Sequence, residues 1–512
     1  GMTSPTYFDC YKMDGTILWR VDIGYNEPSG AHYNQFLFYD FDEDSKAEFV
    51  VKAAGGTKIY APNEEGVMTM EDQYCIATIG DPTADWVASN GHVIDPRQGE
   101  YLILVNGETG ALMDCVDYPN KIVDSSLWGD DWGNRSDRFN NTMFYAPDPQ
   151  DATKTRPAIL EQRGYYTKVT MGAYFVVDGK LQQYWNFDSS KLSNPNDYYG
   201  KGAHYTVAGD LDGDGFDEIT TGPLAINYDG SLLWSQNGEA PSSYNLGHGD
   251  ALHVGPFFPD RQGLQVMMPY EDSNSAVNFS VVDASNGALI FGKKYAAQDT
   301  GRGIAANVTP NPGFEVWAQK PSSEVIDPTD SMYNVYGETV VETKPKGMVC
   351  NWATYWDGDL LQELPDGKDP GASNGGTEQT IYKYNWETNT LDTLAVLEDT
   401  VTNNGTKNTP NLTADIFGDW REEIVARSTD STQLRIYSTT IPTDYMIYTL
   451  MHDSGYRIGV ASQNTSYNQP AHIGGFYLGE DVKDKVLNMG LPTFPVVYTN
   501  GFEPDVPPTP VE

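Results

Sequence analysis

Three observations in the sequence predict an all-β fold built from repeated four-stranded units. The 512 residues include 50 Gly, 31 Pro and 33 Tyr, which interrupt helices and suit short strands joined by tight turns. An acidic turn recurs with polar or acidic residues at offsets 0, 2, 4 and 8, each time leading into an apolar run. No stretch of 15 residues shows a convincing 3.6-residue apolar period.

Taken in chain order, Asp40, Asp42, Asp44 and Glu48 precede Phe49-Val50-Val51. Asp210, Asp212, Asp214 and Glu218 precede Ile219, and Asp415, Asp419 and Glu423 keep the spacing around Phe417 before Ile424-Val425. Asn307, Thr309, Asn311 and Glu315 form a degenerate copy before Val316-Trp317. Other strands follow Asp-Gly turns: Ile17–Val21 after Asp14-Gly15, and Leu232–Trp234 after Asp229-Gly230. Asp210 and Asn307 lie 97 positions apart, with a degraded turn near Pro256 to Asp260 midway. The period is therefore about 50 residues, the length of one propeller blade. A β-propeller of eight blades fits, with seven as the alternative for a short N-terminal part and a β-solenoid as runner-up. Residues 1–501 read as one propeller, and 502–512 as a Pro-rich tail or linker.

The charge narrows the partners. With 72 Asp+Glu against 32 Lys+Arg the formal net charge is −40, and no basic run interrupts it. Such a chain repels nucleic-acid phosphates and anionic lipid surfaces. No window approaches the roughly 18 apolar residues of a membrane span. Gly1 ahead of Met2 reads as a cloning remnant, so an extracytoplasmic location with the signal peptide already removed is expected. Cys10, Cys75, Cys115 and Cys350 are too few for a disulfide framework, and none forms a CxxC pair. A monomer is expected.

Alternating Asp residues in a Gly-rich loop suit a hard cation, and Ca²⁺ tolerates their flexible geometry better than Mg²⁺. The Asp210 loop lacks the Glu at position 12 that an EF-hand needs, so the expectation is a structural Ca²⁺ in a blade turn. A solvated Asp/Gly turn is the plain alternative. A second cluster joins His204, His248, Asp250 and Glu271, in segments where glycines let a backbone approach a ligand. This mixed nitrogen and oxygen set suits several divalent metals, although its spacing equally fits ordinary loop histidines. Lys407 follows the polar turn Asn403-Asn404-Gly405-Thr406. Beside a cation such a lysine can act as a base; alone it reads as a solvated side chain. Tyr456–Val460 and Gln463–Pro470 concentrate aromatic and amide groups of the kind that face sugars.

At these residues the sequence resembles the rhamnogalacturonan lyases of polysaccharide lyase family 11. The matching stretches include Ala31-His32-Tyr33, Gly133-Asn134-Arg135, Arg163-Gly164-Tyr165-Tyr166, Gly247–His253, Asn403–Lys407, Gly418–Glu423 and Tyr467–Pro470. The resemblance implies an eight-bladed propeller with calcium. It also implies a substrate, the alternating rhamnose and galacturonate backbone of rhamnogalacturonan I in pectin, cut at the rhamnose–galacturonate α-1,4 bond by β-elimination. Carried over by position, His204, His248, Asp250 and Glu271 are the metal-associated cluster, with His204 and His248 at the reacting centre. Asn404, Gly405, Thr406 and Tyr467 are substrate contacts, Lys407 is the candidate base, and Arg302 and Arg163 are partners for uronate carboxylates. Two departures stand out: the match starts at Tyr11–Gly15, and Gly55 replaces an Asp of the family pattern in Ala53–Thr57. The rival readings are a non-catalytic calcium-loaded propeller that binds acidic glycans or proteins, an inactive lyase fragment, and a hydrolase with paired carboxylates.

Overall fold

Short apolar runs separated by Asp- and Gly-rich turns fold into eight sheets, which form the blades of an eight-bladed β-propeller. The structure, a computed structural model, describes residues 4–85, 99–121, 124–130, 133–236, 244–272, 274–294, 300–319, 331–369, 376–404, 407–463 and 467–486. The tail at 502–512, Gly405 and Thr406 lie outside the described residues.

The first two blades are interleaved. Tyr7–Tyr11 and Ile17–Asp22 pair in blade 1, then the chain crosses to lay down Phe36–Tyr39 and Glu48–Ala54 of blade 2. It returns to complete blade 1 with Lys58–Tyr60 and Cys75–Thr78, and finishes blade 2 with Glu100–Asn106 and Leu112–Asp117. Blade 1 thus has four strands, gathered from two separate stretches of chain. Blades 3 to 6 are simple antiparallel meanders starting at Phe139, Val207, His253 and Gly303. Blade 7 has three strands, Leu364–Gly367, Gln379–Asn385 and Thr390–Leu397, with Thr354 bridged to Glu363 ahead of them. In blade 8, Thr400–Val401 and Leu412–Ala414 lie along the same edge of Glu423–Ser428.

One helix was missed from the sequence. Tyr456–Val460, expected to face sugar, lies inside helix α1 (Ser454–Ala461), which packs against the innermost strands of blades 2, 3, 4 and 8. Its eight residues are too few for a clear period. Asp453 caps it by accepting from Tyr456 N at 2.8 Å, and the same carboxylate takes Gly474 N and Gly475 N. Gly459 must lack a side chain, because a Cβ there would lie 2.8 Å from that of Ala471.

The recurring turns owe their shape to two left-handed residues. Gly213 and Gly215 have φ of 85° and 92°, and the equivalent Glu43 and Ser45 in the Asp40 turn reach 64° and 71° despite their side chains. In both turns the first Asp takes backbone N–H groups at offsets 3 to 5, and the Glu takes those at offsets 1 and 2. A fifth turn escaped the sequence reading because it opens on Tyr355 instead of an acid; Asp357, Asp359 and Glu363 fill its remaining offsets. The position left by the Asp-to-Gly departure at Gly55 is closed by backbone: a Cβ there would meet Asp81 O at 3.0 Å. The four cysteines are free, and no helix among the described residues is long and apolar enough to cross a membrane.

Candidate active site

The innermost strands run from one face of the propeller to the other, so the residues just before each strand meet on one face. The acidic turns that follow each strand lie on the opposite face. His204 precedes the inner strand Val207–Gly209 of blade 4, and His248 and Asp250 precede His253–Gly255 of blade 5. Glu271 follows the second strand of blade 5, Gln265–Pro269, which returns to that face. These four side chains each offer a ligand atom, all within 4.8 Å of one another. Gly249 permits the convergence, since a Cβ there would stand 2.0 Å from Pro269 O.

The histidines are tuned for lone-pair donation. His248 Nδ1 lies 2.7 Å from Gly202 O, which requires the proton on Nδ1 and leaves the Nε2 lone pair facing Glu271 at 3.6 Å. His248 is 7% exposed, and its Nε2 is buried without a hydrogen-bond partner among the described residues. Burial lowers the pKa of His248 and pushes that of His204 far down, helped there by His248, His32, Lys407 and Arg138. Both rings are therefore neutral. His204 meets the hydroxyls of Tyr165 and Tyr166 at 2.9 and 3.0 Å, with Asp250 Oδ1 3.3 Å from Nε2. A neutral imidazole pair beside two carboxylates, one nitrogen of it orphaned, fits a divalent cation.

Lys407 enters from before the inner strand Leu412–Ala414 of blade 8. Its Nζ lies 2.7 Å from Asp250 Oδ2, and its backbone carbonyl accepts from Asn351 Nδ2 at 2.9 Å. Asn404, left-handed at φ 49°, accepts Lys407 N and Asn408 N and so shapes the turn that delivers the lysine. Tyr467 completes the wall: Lys407 Nζ sits 4.6 Å from its ring centroid, and the ring packs on His204 at 4.4 Å. Burial holds the Tyr467 phenol protonated by raising its pKa. Arg302, ahead of Gly303–Ala306 in blade 6, is 7% exposed and forms no ion pair among the described residues. Its neighbour Gly301 lies against Asp250 and Glu271.

Arg163 belongs elsewhere. It is 1% exposed and spends its guanidinium on Glu100, with two bonds of 2.9 Å, on Asp137 at 3.1 Å and on Ser136 O at 2.7 Å. Lys52 and Glu27 extend this buried ion network. The sequence could not separate a buried arginine from a cleft arginine, because Arg163 and Arg302 both stand beside Gly. The structure also adds residues that spacing did not single out: His32, Tyr165, Tyr166, Arg135 and Arg138 surround the cluster. His32, Tyr165, Tyr166 and Arg135 fall in stretches that carried the family resemblance, which was the available signal; Arg138 lies just beyond one of them.

The acidic turns on the opposite face divide into kinds. Asp40, Asp42 and Glu48 form one three-carboxylate group, and Asp210, Asp212 and Glu218 another. Asp44 and Asp214 complete their turns chiefly by taking backbone N–H groups, from Lys46 and Phe216. The Asp357 turn instead encloses Lys383, whose Nζ bonds Asp357, Asp359 at 2.6 Å and Glu363 at 2.9 Å. A cavity of about 370 Å³ lies at the Asp210 end of the channel beside α1, away from the histidine cluster.

Comparison with known proteins agrees with this architecture. The profile described as rhamnogalacturonan lyase family 11, C-terminal domain, matches residues 1–487. The rhamnogalacturonan endolyase YesW of Bacillus subtilis is 40% identical over 486 residues, covering 95% of this chain and 69% of that protein. The exolyase YesX of the same organism is 38% identical, covering 99% of this chain and 76% of the relative. The crystal structure of YesX superposes with a TM-score of 0.82 over 94% of this chain and 73% of that one. The Bacillus licheniformis rhamnogalacturonan lyase PL11 gives 0.80 at 40% identity, with the same coverage. The propeller with its cleft cluster is thus that of an enzyme, of the polysaccharide lyase class. The chain belongs to rhamnogalacturonan lyase family 11.

Proposed function

We propose that this protein cleaves the rhamnose–galacturonate α-1,4 bond of rhamnogalacturonan I by calcium-dependent β-elimination. The observation that carries the reading is the convergence of His204, His248, Asp250 and Glu271 with Lys407 held on Asp250 at 2.7 Å. The C5 proton of a galacturonate is a poor acid because the adjacent carboxylate is already negative. His204, His248, Asp250 and Glu271 would hold the cation, which supplies positive charge to that carboxylate. Arg302, buried beside the cluster and without an ion pair among the described residues, adds a planar guanidinium for the same group. Lys407 takes the C5 proton, the C4–oxygen bond breaks, and a C4=C5 double bond forms. Tyr467, kept protonated by burial and stacked beneath Lys407, is placed to give the departing oxygen its proton. Asn404, Gly405 and Thr406 contact the sugars. Asp40, Asp42 and Glu48, and likewise Asp210, Asp212 and Glu218, would hold further calcium ions; Glu218 Oε1 is buried without a hydrogen bond among the described residues. The cluster closes within one chain, so the reading is of a monomer. The polymeric substrate places its work outside the cytoplasm.

The test is an assay with rhamnogalacturonan I and calcium, followed by the ultraviolet absorbance of the conjugated uronate product. A rise that chelation abolishes is expected. Polysaccharide binding without any rise would overturn the lyase reading in favour of a binding propeller. Lys407→Ala should lower kcat by about 10²–10⁴-fold, the range for losing a general base. An undiminished kcat in that variant removes Lys407 from the role.

A further inference from the structure

We propose that Arg135 and Arg138 form a second carboxylate subsite of the cleft, engaging a uronate two sugars away from the bond that is cut. The proposal rests on the lyase reading above and adds how the polymer, not the reacting sugar, is held.

Both arginines lie on the turn leading into the inner strand of blade 3, on the opposite flank of the cluster from Arg302 in blade 6. In a chain of −40 net charge neither forms an ion pair among the described residues. Arg135 lies over the Tyr166 ring at 3.5 Å, and that ring also packs on His248 at 4.4 Å. Arg138 lies 5.7 Å from the Tyr33 ring, donates to Asn134 Oδ1 at 2.8 Å, and keeps Nε buried without a partner among the described residues. Stacking on an aromatic face leaves the in-plane N–H fork of a guanidinium free for a carboxylate.

The turn is also built to stay in place. Asp130 accepts Gly133 N at 2.9 Å and Arg135 N at 2.7 Å, and Arg163 beneath it grips Ser136 O and Asp137. The ion network that removed Arg163 from the cleft therefore supports the two arginines that do face it. A substrate with a carboxylate on every second sugar presents the next one on this flank when the first sits at the cluster. Two fixed guanidiniums on that flank would select an alternating uronate polymer over a single uronate residue.

The double variant Arg135→Gln/Arg138→Gln tests this against the unaltered protein on two substrates: the polymer, and the shortest fragment the unaltered protein cuts. KM for the polymer should rise about tenfold or more, the size of one lost charge-assisted hydrogen bond, and much more than KM for the short fragment. Its affinity for the polymer should also lose part of its salt dependence, while affinity for carboxyl-reduced polymer stays the same. Equal losses on both substrates, or an unshifted KM, overturn the subsite. If the double variant fails to fold, Arg135→Lys/Arg138→Lys keeps the charge and removes the fork, and should still raise polymer KM severalfold; an unshifted KM there also overturns the proposal. An unaltered protein that gives no ultraviolet product would sink the lyase reading itself, and direct polymer binding would then still judge the arginines.

Discussion

The Asp210 turn of blade 4 and the Asp357 turn of blade 7 share carboxylates at offsets 2, 4 and 8 but differ in their counter-charge. In blade 7, Lys383 projects from the neighbouring strand and bonds all three carboxylates, whose charge raises its own pKa. In blade 4 no lysine among the described residues reaches the turn, and burial with repulsion from Asp212 drives Glu218 up to about 8; burial does the same to Glu363 even beside Lys383. The Asp40 turn behaves like blade 4, with Glu48 pushed up to about 7. The lesson is that an acidic turn can carry its counter-charge inside the fold or leave it to an external ion. The spacing of the last three carboxylates is the same in both.

The sharpest way to break this contrast is to empty the blade 7 turn. Lys383→Met should destabilise the calcium-free protein by about 3 kcal/mol, because three carboxylates lose their only ammonium. Excess calcium should restore much of that loss, read as recovery of the denaturation midpoint. A loss that calcium leaves untouched would show that the turn cannot be converted. Next in size, Asp212→Asn should remove a calcium-dependent stabilisation of about 2.7 kcal/mol at a hundredfold excess over Kd, while changing the chelated protein little. Equal effects with and without calcium would mean that Asp212 holds only its own loop.

A third carboxyl extends the comparison with a smaller effect. Glu161 has neither ammonium nor an open turn, and burial raises its pKa to about 8. Unfolded, it titrates near 4.3, so the folded chain binds the extra proton between those values. Its contribution to stability is complete below about pH 4 and is lost as pH rises towards about 8. Glu161→Gln should flatten that part of the pH–stability curve. An unchanged slope would assign the proton elsewhere in the Lys52–Arg163 network.

Much of the fold was legible because it is local. Turn chemistry at Asp40, Asp210 and Asp415 sets both the left-handed residues and the strand that follows, and the 50-residue period sets the blade. Helix α1 was not legible, since its stability comes from the strands around it and not from its own short period. In the cleft, residue types pointed to His204, His248, Asp250, Glu271 and Lys407. They could not say that Arg163 is buried under Glu100 and Asp137 while Arg135 and Arg138 face outward.

By itself, the sequence determined the repeat, the acidic turns, the net charge and the kinds of groups available for chemistry. These depend on residues within a few positions of each other. Tertiary structure alone decided which charges are already neutralised. Lys383 lies 20 positions from Glu363, Lys407 lies 157 from Asp250, and Arg163 lies 63 from Glu100. Strand pairing within blade 7 sets the first of those distances, and the packing of blades around the ring sets the other two. Coulomb energy and desolvation follow distance and burial in space, not position along the chain.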